Sequence, residues 1–204
     1  MRSRPQVLAG PAPHLNRGRS TGALYSIIGL FAYLETSIWP TMPFIRDNLD
    51  PGFTAASLHF SALAAGAVLT WMTGERFVRR WGRTVSLWGG GMVSMVTGVA
   101  LLAIRPVYAG TLFAAFVTGL TGTIAQMANQ SALSDQHGER RTIVLAESNV
   151  AASSAETMAP LAIGTLDKAG SGWQTALLLG IPVFFVLLLV FCKTRIPTAP
   201  IATA

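Results

Sequence analysis

The chain has 204 residues, of which 51% are hydrophobic and only 12% charged, and it carries a net charge of +6. Soluble domains hold about 25% charged residues, so the composition excludes an ordinary water-exposed fold and points to lipid. The basic residues stand in short clusters beside apolar segments and form no basic face interleaved with aromatics, which speaks for membrane topology and against nucleic acid as a partner.

Residues 1–21 ("MRSRPQVLAGPAPHLNRGRST") are rich in Pro, Gly and Arg, contain no apolar run, and are expected to form a disordered basic cytoplasmic tail without a secretory leader. Residues 22–193 are expected to form an all-α bundle of six transmembrane helices at about 23–45, 53–74, 84–104, 107–130, 142–165 and 173–192. Each is roughly 20 residues, long enough at ~1.5 Å per residue to cross a ~30 Å hydrocarbon core. Residues 194–204 read as a short cytoplasmic tail.

The first segment carries Glu35 between Tyr33 and Trp39, about ten residues and therefore ~15 Å from its outer end, close to the bilayer midplane. An ionisable side chain there costs on the order of 2.5–3.5 kcal/mol, so Glu35 either hydrogen-bonds as a neutral acid or faces a wet cavity. Trp39 is a candidate for lining that cavity. The second segment has a stripe of small residues, Ala62, Gly66, Thr70 and Gly74, suited to close helix contact, and His59 is a candidate protonatable partner of Glu35. "GERFVRRWGR", residues 74–83, puts four arginines between two apolar stretches and reads as a loop. The third segment continues the small-residue pattern with Gly90, Ser94 and Gly98. The fourth gathers Gln126, Asn129 and Gln130 near one end, where they meet a substrate or bond a neighbouring helix. The fifth holds Glu147, near enough to its end to pair with Arg140 or Arg141, and Glu156, at a depth similar to that of Glu35. The single cysteine, Cys192, closes the sixth and excludes an intrachain disulfide.

Orientation follows from Lys and Arg. With a cytoplasmic N-terminus, Arg2, Arg4, Arg17, Arg19, Arg76, Arg79, Arg80, Arg83, Arg140, Arg141, Lys193 and Arg195 lie inside, against Arg46, Arg105 and Lys168 outside. Both termini are therefore expected in the cytoplasm, and the protein in the plasma (inner) membrane.

The order of residue types in "RFVRRWGR" resembles the loop signature of the major facilitator superfamily: an apolar pair (Phe77, Val78), an arginine (Arg80), an aromatic (Trp81), a glycine (Gly82) and a further arginine (Arg83), placed between the second and third helices. The sequence departs from the signature at Arg79, where the family has an acid, and its first glycine, Gly74, is one residue out of register. "FAAFVTGLTG" is similar to the family's Arg-x-x-x-Gly stretch, with Gly119 kept and Ala115 in the place of the arginine. "AETMAPLAIG" resembles the Gly-Pro segment of the family's antiporters, with Pro160 and Gly164 kept. The resemblance covers about 23–192 and is to the N-terminal six-helix half of a twelve-helix transporter.

It implies a secondary transporter working by alternating access on a small-molecule substrate, with protons as a candidate coupling ion. Glu35, Glu156, His59, Trp39 and Gln126 are then the substrate or proton site candidates, and Arg80, Trp81, Gly82 and Arg83 a cytoplasmic gate loop. A second six-helix half, self or a separate chain, would complete the cavity. The alternatives are a non-transporting six-helix scaffold or regulatory subunit and an inactive truncated transporter fragment. An enzyme is not expected, nor a metal or cofactor: His14, His59 and His137 are dispersed, and no glycine loop followed by Lys-Ser/Thr is present to hold a phosphate.

Overall fold

The structure is a computed structural model and describes residues 17–49, 53–103 and 107–196. The expected tails at 1–16 and 197–204 lie outside these residues. The described chain is all-α, without a strand: α1 (Arg19–Leu49), α2 (Phe53–Trp81), α3 (Arg83–Ala103), α4 (Tyr108–His137), a 3-10 turn (Gly138–Arg140), α5 (Arg141–Lys168), α6 (Gln174–Leu178) and α7 (Gly180–Phe191). α6 and α7 follow each other almost without interruption and occupy the sixth expected interval.

Several helices run past their expected ends, α4 by seven residues to His137 and α1 to Leu49, and two boundaries have a clear local reason. α1 begins at Arg19, because the N-terminal polar residues are tied down: Ser20 Oγ donates to Gln136 Oε1 (3.1 Å), and Thr21 Oγ1 meets His137 Nε2 (2.9 Å) at the end of α4. The arginine-rich stretch after Gly74 is not a loop. Residues 75–81 extend α2, helped by strong helix formers and an exposed Glu75–Arg79 pair one turn apart, and only Gly82 interrupts the helix before α3 starts. Gly82 has φ +83°, a left-handed conformation that glycine adopts without steric cost, and its N–H closes the end of α2 on the Val78 carbonyl at 2.9 Å.

By length and apolarity, two stretches among the described residues qualify as candidate membrane spans, Tyr108–Lys168, which joins α4 to α5, and Gln174–Phe191. The fourth, fifth and sixth expected segments fall within these two stretches, to within a residue at their ends.

α4 stands at the centre, packed against α2 on one side and α3 on another, while α1 pairs with α5. The small-residue stripes form these seams. A Cβ at Gly66 would lie 2.2 Å from the Phe116 carbonyl oxygen, and one at Gly90 2.8 Å from that of Thr121, so both backbones approach as only glycine permits. Hydroxyls knit the same seams: Thr70 Oγ1 donates to the Leu120 carbonyl (2.7 Å), and Ser94 and Thr121 share a bond of 2.5 Å. Large apolar side chains face outward, among them Trp71, Met72, Phe113, Leu161 and Leu189.

Candidate functional site

Along α1, Ile28, Phe31, Ala32 and Glu35 recur at helical spacing, and along α5 Leu145, Ser148, Asn149, Ala152 and Glu156 do the same, so each set shares one helix face. The two faces meet Gln126 and Gln130 of α4 around a cavity of about 170 Å³. Three of the five residues expected at the site, Glu35, Glu156 and Gln126, are thereby brought together. Each carboxylate is the last lining residue on its helix, at the end of the cavity away from the arginine-rich side of the bundle. Glu35 is half-buried and Glu156 exposed, and among the described residues no Lys, Arg or His lines the space.

Two prolines add acceptors beside these acids. Pro160 lies inside α5 and Pro40 inside α1; lacking an N–H, each leaves the carbonyl four residues earlier, of Glu156 and of Thr36, without its helical donor.

The other two expected site residues lie elsewhere. His59 is buried between α2 and α4, where its Nε2 meets Thr111 Oγ1 at 2.9 Å and its ring stands edge-on to Tyr108. It faces a separate small space of about 20 Å³ with Thr118 and Ala115 and does not reach the cavity of Glu35. Trp39 is half exposed and stacks on Phe60 of α2, ring centroids 3.8 Å apart. Ser148 and Asn149 line the cavity although the sequence reading did not single them out; their spacing of seven or eight residues before Glu156 is the signal that could have found them. Asn129, next to the cavity glutamines in sequence, is instead fully buried, with both side-chain amide atoms unpartnered among the described residues.

At the arginine-rich end the charges are held by unexpected partners. Glu147 pairs with Arg17, ahead of α1, and accepts a bond from Tyr25 Oη at 2.8 Å, not from Arg140 or Arg141. Two helical turns separate Glu147 from those arginines along α5, whereas α1 runs directly beside it. In the Gly82 region, Arg80 and Trp81 are exposed, Trp81 stacking with Phe77, while Arg83 is buried and donates to Asp135 of α4 at 2.5 Å. The expected gate loop is thus a helix end, a one-residue break and a buried arginine anchored across the bundle. With Arg79 turned to solvent in place of the family's acid, Asp135 supplies a carboxylate to this corner.

Outward apolar side chains, small-residue seams and acids turned into an interior cavity are the arrangement of a membrane-embedded helical protein. The chain belongs to the Major Facilitator Superfamily, whose family model matches residues 24–203. Members of this family are membrane transporters of small molecules rather than enzymes. No curated protein matches the chain.

Proposed function

We propose that this chain forms a six-helix half of a secondary transporter of the plasma (inner) membrane, with both ends of the bundle's polypeptide cytoplasmic, and that its substrate is a small organic cation exchanged against protons. The observation that carries the reading is the cavity of Glu35, Glu156 and Gln126, which holds two carboxylates and three side-chain amides with no basic residue in its lining among the described residues. Burying a cation in such a space is favourable when carboxylates and carbonyl oxygens replace its water, and an anion would meet like charge. In the proposed orientation the cavity occupies the cytoplasmic half of the bundle, and the two acids stand at its deep end near the midplane, where alternating access hands a substrate from one side to the other. A second six-helix half, in the same polypeptide or a separate one, closes the other wall. Arg80, Trp81, Gly82 and Arg83 then form the cytoplasmic corner that meets it.

The test uses vesicles containing the assembled protein, an imposed proton gradient and a pH-sensitive dye. Members of a panel of organic amines should collapse the gradient faster than in empty vesicles, and the double variant Glu35→Gln/Glu156→Gln should abolish the difference. Gradient collapse driven by anionic or neutral solutes, with none driven by amines, would contradict the cation assignment.

A further inference from the structure

A second space, on another face of α1, is larger and of opposite character. It measures about 630 Å³ and runs between α1, α5 and α7. Its floor is small, made by Gly29 and the alanines Ala151 and Ala155, where a Cβ on Gly29 would already lie 3.5 Å from the Ala151 carbonyl oxygen. Its walls include Leu30, Val183 and Leu187, and the described lining is almost wholly apolar. None of the acids of the transport cavity reaches it.

The two ends differ. Toward the outer end in the proposed orientation, Tyr33 Oη crosses from α1 to donate to the Ala176 carbonyl of α6 at 2.9 Å. At the cytoplasmic end, Tyr25 and Arg17 bond Glu147 of α5 on one side, and Arg19 donates to the Val190 carbonyl of α7 at 2.5 Å on the other. Lys193 and Arg195 follow within two turns of Val190, both exposed. Arg17 and Arg19 thus stand at this end of the groove with one carboxylate, and Lys193 and Arg195 follow α7 in sequence.

We propose that the groove binds an anionic phospholipid of the cytoplasmic leaflet, one acyl chain lying along Gly29 and Ala155 and the headgroup phosphate seated against Arg19, Lys193 and Arg195. An almost wholly apolar slot with basic residues at its cytoplasmic end matches an acyl chain and a negative head. The choice of leaflet rests on the proposed orientation, but the groove lies outside the cavity of Glu35, so lipid binding is tested separately from transport.

The experiment is native mass spectrometry of the full chain, delipidated in mild detergent and titrated with phosphatidylglycerol or with phosphatidylcholine of identical acyl chains. The wild type should favour phosphatidylglycerol by about five-fold or more, and Arg19→Gln and Lys193→Gln should each reduce its binding about five-fold while leaving phosphatidylcholine unchanged, the effect of ~1 kcal/mol per basic residue at a lipid surface. Val183, 46% exposed on the groove wall, can be enlarged without touching the α1–α5 seam. Val183→Trp, or Val183→Phe if the first is not monodisperse, should weaken both lipids. Equal binding of the two lipids by the wild type overturns the proposal. So does unchanged binding in the enlarged variants, and so does a wild-type dimer that these variants dissociate, which would assign the groove to a second copy of the chain.

Discussion

Replacing Glu35 by Gln is expected to leave the protein's abundance in the membrane near that of the wild type and to flatten the dependence of transport on pH. The amide keeps the shape and most of the hydrogen-bonding capacity of the acid but cannot titrate. Among the described residues, the only other titratable group lining the cavity is Glu156, so there is no cation whose charge would be left uncompensated by the substitution. With Glu156 as the remaining acid, a single proton site should survive, and the profile should keep one limb. Glu35→Ala should in addition lower the apparent affinity for a cation, by roughly 10- to 150-fold if one charge-assisted hydrogen bond of ~1.5–3 kcal/mol is lost. Transport against external pH, at matched expression, measures both. An unchanged profile and rate in Glu35→Gln would reduce the residue to a structural hydrogen bond.

Gly119→Ala should be the most damaging single methyl that can be added to the bundle. A Cβ there would sit 2.0 Å from the Leu63 carbonyl oxygen and 2.8 Å from the Leu63 carbonyl carbon, both backbone atoms that cannot rotate aside. α2 and α4 would have to separate along their main seam, a strain at or above the ~1–3 kcal/mol typical of overpacking. Gly164→Ala is the control, because nothing lies within 4 Å of its Cβ position, and a change within about 0.5 kcal/mol is expected. Thermal unfolding in detergent should show a large drop for Gly119→Ala and almost none for Gly164→Ala. Equal behaviour of the two would mean that the seam is not as tight as the backbone geometry has it. Gly119 is also the glycine of the stretch that resembles the family's Arg-x-x-x-Gly pattern, and close packing alone accounts for it.

The intramembrane acids were legible in the sequence because their cost is intrinsic: a carboxylate about ten residues inside an apolar segment demands a polar environment whatever the fold. That Glu35 and Glu156 share one cavity was not legible, since it depends on how α1 and α5 are rotated about their axes. The same ignorance of rotation made His59 a candidate, and the structure turns it toward Thr111 instead. Glu147 shows a related limit. Its nearest cations in sequence are Arg140 and Arg141, but Arg17 reaches it from the segment just ahead of α1. The small-residue seams, by contrast, were visible as four-residue periodicity, which helix geometry converts directly into a contact face. The arginine stretch was misread as a loop because charge was taken for irregularity, whereas Glu, Arg, Phe and Val at 75–81 continue a helix until Gly82 allows a left-handed residue. The lipid groove had no sequence signal, because a row of alanines and glycines reads alike whether a helix or an acyl chain covers it.

The central claim is that the space between α1, α4 and α5 is a water-accessible site selective for cations. Ala152 lines it between Ser148 and Glu156 and carries no functional group, so it accepts a reporter thiol in a chain whose exposed Cys192 has been changed to Ser. The decisive measurement is the rate at which Ala152→Cys in membranes reacts with two small thiosulfonate reagents, one bearing a trimethylammonium and the other a sulfonate. Two carboxylates without a countercharge should make the cationic reagent faster by about tenfold or more, equivalent to ~1.4 kcal/mol, and Glu35→Gln/Glu156→Gln should bring the two rates together. Equal rates in the wild-type background, or a thiol that neither reagent reaches, would contradict the account.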